Sequence, residues 1–205
     1  MNWEFSRELA KEEFKNYLDL TLSYLLFENE VIEKTYINFE TLREVCFKKC
    51  KFTNVTFENT FFGKVKFQNC ELNNVAFTES NMSKVIFENC KLMNVSIFET
   101  TLSDCEIEEC LIEYSKIENS KIENTLLTKI KFMENIHRHN KYEVVKFDYC
   151  EMIGDNFIDT NLKECDLKTC HFKEIKINLD DLITSKLSVL NLLEIINAKG
   201  IIIEE

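Results

Sequence analysis

Through the middle of this chain every fifth residue is large and apolar, and the interval does not slip. Counting from Leu42 in fives meets Phe47, Phe52, Phe57, Phe62, Phe67, Leu72, Phe77, Met82, Phe87, Leu92, Ile97, Leu102, Ile107, Ile112, Ile117, Ile122, Leu127 and Phe132. The position two residues earlier is small or β-branched throughout, from Val45, Cys50, Val55 and Thr60 to Ser115, Ser120 and Thr125. The other three places hold mostly Lys, Glu, Asn, Thr or Ser. Helices repeat at 3.6 residues and strands at two, so neither alone gives this pattern. It calls for a unit with two inward and three outward residues that turns after each step, making one side of a coil.

A second period counts the sides. Cys50, Cys70, Cys90 and Cys110 recur every twenty residues, as do Val45, Val65 and Val85, and Thr60, Ser80, Thr100 and Ser120. Four five-residue steps therefore return to the same place, and the cross-section is a square. Coils stacked at the β-strand spacing, about eight of them, give a rod roughly 35–40 Å long. The cysteines Cys50, Cys70, Cys90, Cys110, Cys150 and Cys170 fall in one internal column of small, soft side chains.

So many corners need turn-forming residues, yet the chain has no proline and only three glycines. Asparagine, which tolerates turn conformations and bonds its own backbone, is the residue left to make them. The formal net charge is −11 over 205 residues, which excludes nucleic acid as the expected partner, since phosphate binding needs Lys and Arg. The segment Met1-Asn2-Trp3-Glu4-Phe5 turns charged at once and does not read as an export signal. The apolar stretch Leu18 to Phe27 contains Asp19 and is too short to span a bilayer. These features predict a cytoplasmic protein with no membrane partner, its nine cysteines reduced.

The steps Val55-Thr56-Phe57-Glu58-Asn59, Val85-Ile86-Phe87-Glu88-Asn89 and Ser115-Lys116-Ile117-Glu118-Asn119 resemble the pentapeptide-repeat family, and the likeness runs over about three quarters of the chain. The resemblance implies an all-β fold, a right-handed quadrilateral β-helix; the handedness rests on it alone. One departure is visible: the family often carries Asp or Asn before the central residue, whereas here Asn falls two places after it.

A stacked rod has open ends that would pair with other chains unless covered. Residues 1–19 are predicted as an N-terminal helical cap, with a helix over Ser6 to Tyr17 and Ser6 as its N-cap. The solenoid is expected over 20–178, with Leu22, Phe27, Ile32 and Ile37 as irregular first inward positions. Residues 179–205 are expected to close the other end: a helix from Thr184 or Ser185 through Ile196, then a short strand at Ile201-Ile202-Ile203. The helix carries more apolar surface than one square end needs, and Leu187, Leu190, Leu193 and Ile196 are its candidate homodimer face.

Between Phe132 and Phe147 the count of five holds, but Asn135, His137, Asn140 and Tyr142 are poor core residues. Met133 to Val144 reads either as a distorted half-coil or bulged loop, making Asn135, His137, Arg138 and His139 a candidate functional loop, or as tolerated decay of two repeats. His137 and His139 lack the Cys or carboxylate spacing of a metal site, and no phosphate loop or nucleophile motif is present. The expectation is no enzyme and no cofactor. The surface offers Asp104, Glu106, Glu108, Glu109, Glu113, Glu118 and Glu123 as a candidate partner-binding acidic region, opposed by Arg43, Lys48, Lys49 and Lys51 nearer the N-terminus.

The resemblance extends to the quinolone-resistance members of the family in length, net charge and closing helix, though not closely in sequence. It implies a DNA-mimicking rod that engages DNA gyrase and topoisomerase IV. The competing expectation is a structural scaffold that binds some other protein.

Overall fold

The computed structural model describes residues 4–14, 21–38 and 40–201. They form a right-handed, four-sided β-helix. Short strands on each side pair in parallel with the strand one coil later, in a register of twenty residues: Phe87 opposite Ile107, Leu92 opposite Ile112, Ile97 opposite Ile117 and Leu102 opposite Ile122. In the earlier coils the strands Thr41–Lys48, Lys51–Glu58, Phe61–Gln68 and Glu71–Thr78 run round a corner without a break. There Val45 pairs with Val65, and Val55 with Val75.

Every corner is made the same way. From Tyr24 to Glu164, the described residue two places after each central side chain has a positive φ, including Asn54, Asn59, Asn69, Asn74, Asn89, Asn94, Asn119 and Asn124. Left-handed backbone costs an L-residue about 1–2 kcal/mol, and Asn and Asp tolerate it best. Asparagine, the residue expected at the corners, fills nine of these positions, whereas Glu and Lys fill eleven; Gly154 is the one glycine in this series. The corner N–H groups are not left bare: Asn69 N donates to Glu88 O (2.9 Å) and Asn89 N to Glu108 O (3.0 Å) in the next coil. At one corner the asparagine side chains also stack, with Asn94 Nδ2 donating to Asn74 Oδ1 (3.0 Å) and Asn74 Nδ2 to Asn54 Oδ1.

Val144 is the one β-branched residue in this series. It holds φ 56° with a β-branched side chain that is mostly exposed, and its N–H reaches Lys163 O only at 3.4 Å. Its corner neighbour one coil earlier is Asn124. Val144→Asn should relieve backbone strain and sacrifice no packing, raising stability by about 1 kcal/mol in urea unfolding. An unchanged or lower midpoint would show that the corner is not strained.

The core is one continuous column. Leu22, Phe27, Ile32 and Ile37 are buried like the later central residues, so the inward phase begins before Leu42. In the N-terminal half the rings stack coil on coil: Phe27 on Phe47 at 5.2 Å, Phe47 on Phe67 at 5.1 Å and Phe67 on Phe87 at 4.7 Å.

The ends differ from the sequence reading. Within the expected N-terminal helix, Ala10–Glu12 is a strand paired with Leu25–Phe27. Ser6 is no helix cap: its backbone N–H donates to the Glu44 carboxylate and holds that carboxyl below its usual pKa. Arg7 lies 3.5 Å over the Tyr24 ring and Phe14 packs edge-on against Phe27. The unpaired edge of the first coil offers a row of hydrogen-bonding groups, and pairing with it outweighs a short helix's own propensity. The rest of that expected helix, 15–17, lies outside the described residues.

At the C-terminal end a 3-10 turn, Leu179–Leu182, leads to helix α1, Val189–Ala198. Its cap is Ser188 rather than Thr184 or Ser185: Thr184 has a positive φ, and Ser185 Oγ donates to Leu182 O at 2.6 Å. Ser188 and Asn191 form a capping box, with Asn191 N donating to Ser188 Oγ (3.1 Å) and Ser188 N to Asn191 Oδ1 (2.8 Å). Side chains of α1 also satisfy the open edge: Asn191 Nδ2 donates to Cys170 O (2.7 Å), and Phe172 N donates to Glu194 Oε2 (3.0 Å). The strand expected at Ile201-Ile202-Ile203 falls mostly outside the described residues.

Candidate interaction surfaces and the buried polar core

The small-residue positions do more than fill space. Many of the polar ones link coils by accepting from the backbone of the coil before. Thr60 N donates to Ser80 Oγ, Ser80 N to Thr100 Oγ1, Thr100 N to Ser120 Oγ and Ser120 N to Asn140 Oδ1, all within 2.9–3.2 Å. The cysteine column follows the same plan with sulfur: Cys50 Sγ faces Phe27 O at 3.3 Å and Cys70 Sγ faces Phe47 O at 3.3 Å. Cys50, Cys70, Cys90, Cys110, Cys150 and Cys170 are all free and buried, as are Cys46, Cys105 and Cys165. Burial pushes the Cys46 thiol up to about 11 and those of Cys105 and Cys165 to about 12, leaving almost no thiolate at neutral pH.

The segment from Met133 to Val144 is neither a loop nor a distorted half-coil. It forms the regular strands Ile136–Arg138 and Lys141–Glu143, in register with the coils on either side. Of the candidate loop residues, Asn135 and His137 are buried, whereas Arg138 and His139 face out. The polar core residues of the segment are hydrogen-bonded within the core. His137 Nδ1 lies 2.8 Å from Tyr142 Oη, and its ring stacks on Phe157 at 4.2 Å. Asn135 Oδ1 accepts from Ser115 N (2.8 Å), and Asn135 Nδ2 donates to Ile112 O (3.0 Å) and to Asp155 Oδ1 (2.8 Å). Asn140 Nδ2 donates to Ile117 O at 2.7 Å. Arg138 meets Glu118 at 3.3 Å, and His139 meets Asp159 at 3.6 Å. Among the described residues no three His, Cys, Asp or Glu side chains converge as a metal site.

The acidic residues are spread around the rod. Glu106 and Glu108 sit on Glu106–Glu108, Glu113 on Leu111–Glu113, Glu118 on Lys116–Glu118 and Glu123 on Lys121–Glu123, which are the four successive sides of one coil. Asp104 and Glu109 occupy corners between sides. The group is therefore a girdle, not a stripe. Basic residues thread through it: Lys129 meets Glu109 at 2.7 Å, and Lys121 meets Glu123 at 2.5 Å and Glu143 at 3.2 Å. The same interleaving appears nearer the N-terminus, where Lys66 meets Glu88 at 2.5 Å and Lys51 meets Glu71 at 3.1 Å.

Helix α1 has one face against the last coil, through Asn191 and Ile195, and an apolar outer face. Val189 is 78% exposed, Leu190 50%, Leu192 42% and Leu193 37%. Of the four candidate dimer residues, Leu190 and Leu193 lie on that face, Leu187 packs inward against the core, and Ile196 is half-buried. Val189 and Leu192 complete the face; the cap at Ser188 sets this phase, and a helix begun at Thr184 or Ser185 hides it. Among the described residues no helix is long and apolar enough to cross a membrane.

A family model described as a pentapeptide repeat region matches residues 40–117. The same twenty-residue coil register continues on either side of that segment, with Ile32 opposite Phe52 and Phe132 opposite Met152. Among solved structures, a trypsin-treated variant of QnrB1, a plasmid-mediated fluoroquinolone resistance protein, is 15% identical with a TM-score of 0.54, over 96% of this chain and 97% of that one. HetL, a pentapeptide repeat protein involved in heterocyst differentiation regulation from the cyanobacterium Nostoc sp. strain PCC 7120, is 10% identical with a TM-score of 0.38, over 85% of this chain and 86% of its own. The pentapeptide repeat protein Rfr23 from the cyanobacterium Cyanothece 51142 is 12% identical with a TM-score of 0.36, over 83% of this chain and 93% of its own. No curated protein matches the chain in sequence. The likeness to QnrB1 is one of fold.

Proposed function

We propose that this chain is a non-catalytic, protein-binding rod that acts as a pair of copies joined through the outer face of α1. The observation that carries the reading is the exposed row Val189, Leu190, Leu192 and Leu193 on a helix whose inner face already closes the solenoid. Four large apolar side chains side by side on a small protein favour a partner surface over bulk water, and a C2 pair would cover both rows with one self-complementary contact. The flat sides, with acids and lysines interleaved, then serve as the scaffold to which other proteins dock. Light scattering at micromolar concentration should give twice the chain mass. The double change Leu190→Glu and Leu193→Glu should halve it with the circular dichroism spectrum unchanged. A wild-type monomer at that concentration would retire the pairing.

A second reading is favoured by the acidic girdle from Asp104 to Glu123 and the net charge of −11. On that reading the rod presents itself as DNA to a type II topoisomerase, in the manner suggested by its fold-level likeness to a fluoroquinolone resistance protein. The lysines paired with the girdle acids weigh toward the scaffold. A supercoiling assay with purified DNA gyrase, with and without a quinolone, separates the two. Inhibition or protection supports mimicry, and neither at tens of micromolar protein retires it.

A further inference from the structure

We infer that the axis of the rod, in the coils between Phe87 and Phe132, is a binding site for a small apolar molecule. The central residues from Leu92 to Leu127 are eight consecutive aliphatics, bracketed by aromatic coils on both sides. A solenoid cannot contract around smaller side chains. Its cross-section is set by four backbone strands per coil, each hydrogen-bonded to the coils above and below. When the rings disappear the walls stay where they were, and a void of about 60 Å³, measured as room for the centre of a water-sized sphere, remains on the axis.

The burial pattern agrees. Among the central residues from Leu42 to Ile177, those not fully buried are Ile97, Ile107 and Ile117, and all three line the void. One water needs ~10–15 Å³ by the same measure, so the space is several times larger than that minimum. A water also needs two to four polar partners, and the wall offers none. Its polar residues turn their polar atoms to one another or to the backbone. Ser115 Oγ accepts from Val95 N and donates to Glu113 O. Thr125 Oγ1 donates to Glu123 O, and His137 is engaged with Tyr142. Such a space stays dry and favours a ligand that neither donates nor accepts hydrogen bonds. The lining runs from Phe77 and Phe87 at one end to Met152 and Phe157 at the other, more than two coils of about 4.8 Å each, so the space is narrow for its length and the class that fits is slim: a short hydrocarbon or haloalkane, or a noble gas.

Xenon is the probe. Crystals of the full chain under xenon pressure should show xenon on the axis between Phe87 and Phe132. In solution, the methyl resonances of Ile97, Ile107 and Ile117 should shift with xenon pressure. Ile107→Phe places a ring in the void from one side, and Ile117→Phe from the facing side. Either should abolish the shifts and the density while the circular dichroism spectrum is retained. Ordered water on the axis, or no xenon there in the wild type, overturns the site. So does xenon binding that survives Ile107→Phe or Ile117→Phe in a folded variant; if both variants fail to fold, the wild-type density decides.

Discussion

Phe67→Ala will destabilise the rod by about 3–5 kcal/mol in urea unfolding, at the costly end for a core truncation. Phe67 has no exposed surface. It lies between Phe47 at 5.1 Å and Phe87 at 4.7 Å, with interplanar angles of 15° and 4°, and Phe52 meets it edge-on at 5.9 Å. Removing the ring loses its transfer free energy and three aromatic contacts, each such pair being worth about 0.5–1.5 kcal/mol. Relaxation normally softens a cavity, but here it is restricted. Val65 and Phe67 stand on a strand paired on both sides, with Val45 and Phe47 in one coil and with Phe87 in the next. The wall is held at its spacing, so the hole persists. A loss below about 2 kcal/mol would mean that the coils can close over a missing ring. That result would also undermine the persistence of the axial void further along.

The fold was legible because each coil repeats one environment. A period of five fixes which residues point inward, and a period of twenty fixes the number of sides, and no long-range information is needed. The misreadings share a cause: they depend on neighbours that are distant in sequence. His137 and Tyr142 look unsuited to a core one at a time, yet they are spaced five apart and bond each other. Asn135 and Asn140 look out of place until they are seen to continue the Ser115 and Ser120 ladders, with the same acceptor role for the coil before. The unbroken count of five through this segment was the signal that it stays in the coil. At the N-terminus, the edge at Leu25–Phe27 decides for a strand at Ala10–Glu12, and no local propensity announces that edge. The acidic run is placed only once the coil is known. Residues adjacent in a solenoid's sequence turn a corner every five positions, so a surface patch is written at intervals of twenty. Glu106 to Glu123 are close in sequence and stand on four different sides.

Asp155→Asn will stabilise the protein, by about 1–3 kcal/mol at neutral pH. Asp155 is fully buried in the same column as Ser115 and Asn135. Its Oδ1 is well served, accepting from Asn135 N (3.2 Å) and Asn135 Nδ2 (2.8 Å). Its Oδ2 has no donor among the described residues. The nearest cationic candidate, His137 Nε2, is 3.8 Å from Oδ1, beyond hydrogen-bonding length. A buried carboxylate with one oxygen unserved keeps much of its desolvation penalty. The surrounding rungs show what fits in its place. Asn135 Nδ2 donates to Ile112 O, Asn140 Nδ2 to Ile117 O and Thr160 Oγ1 to His137 O, in each case a carbonyl twenty-three residues back. For position 155 that carbonyl belongs to Phe132. An asparagine amide has the carboxylate's shape, keeps an acceptor for Asn135 and adds the missing donor toward Phe132 O. Urea unfolding of wild type and Asp155→Asn at pH 7 measures the difference directly. A loss of stability instead would show that position 155 is better served by the carboxylate than by an amide.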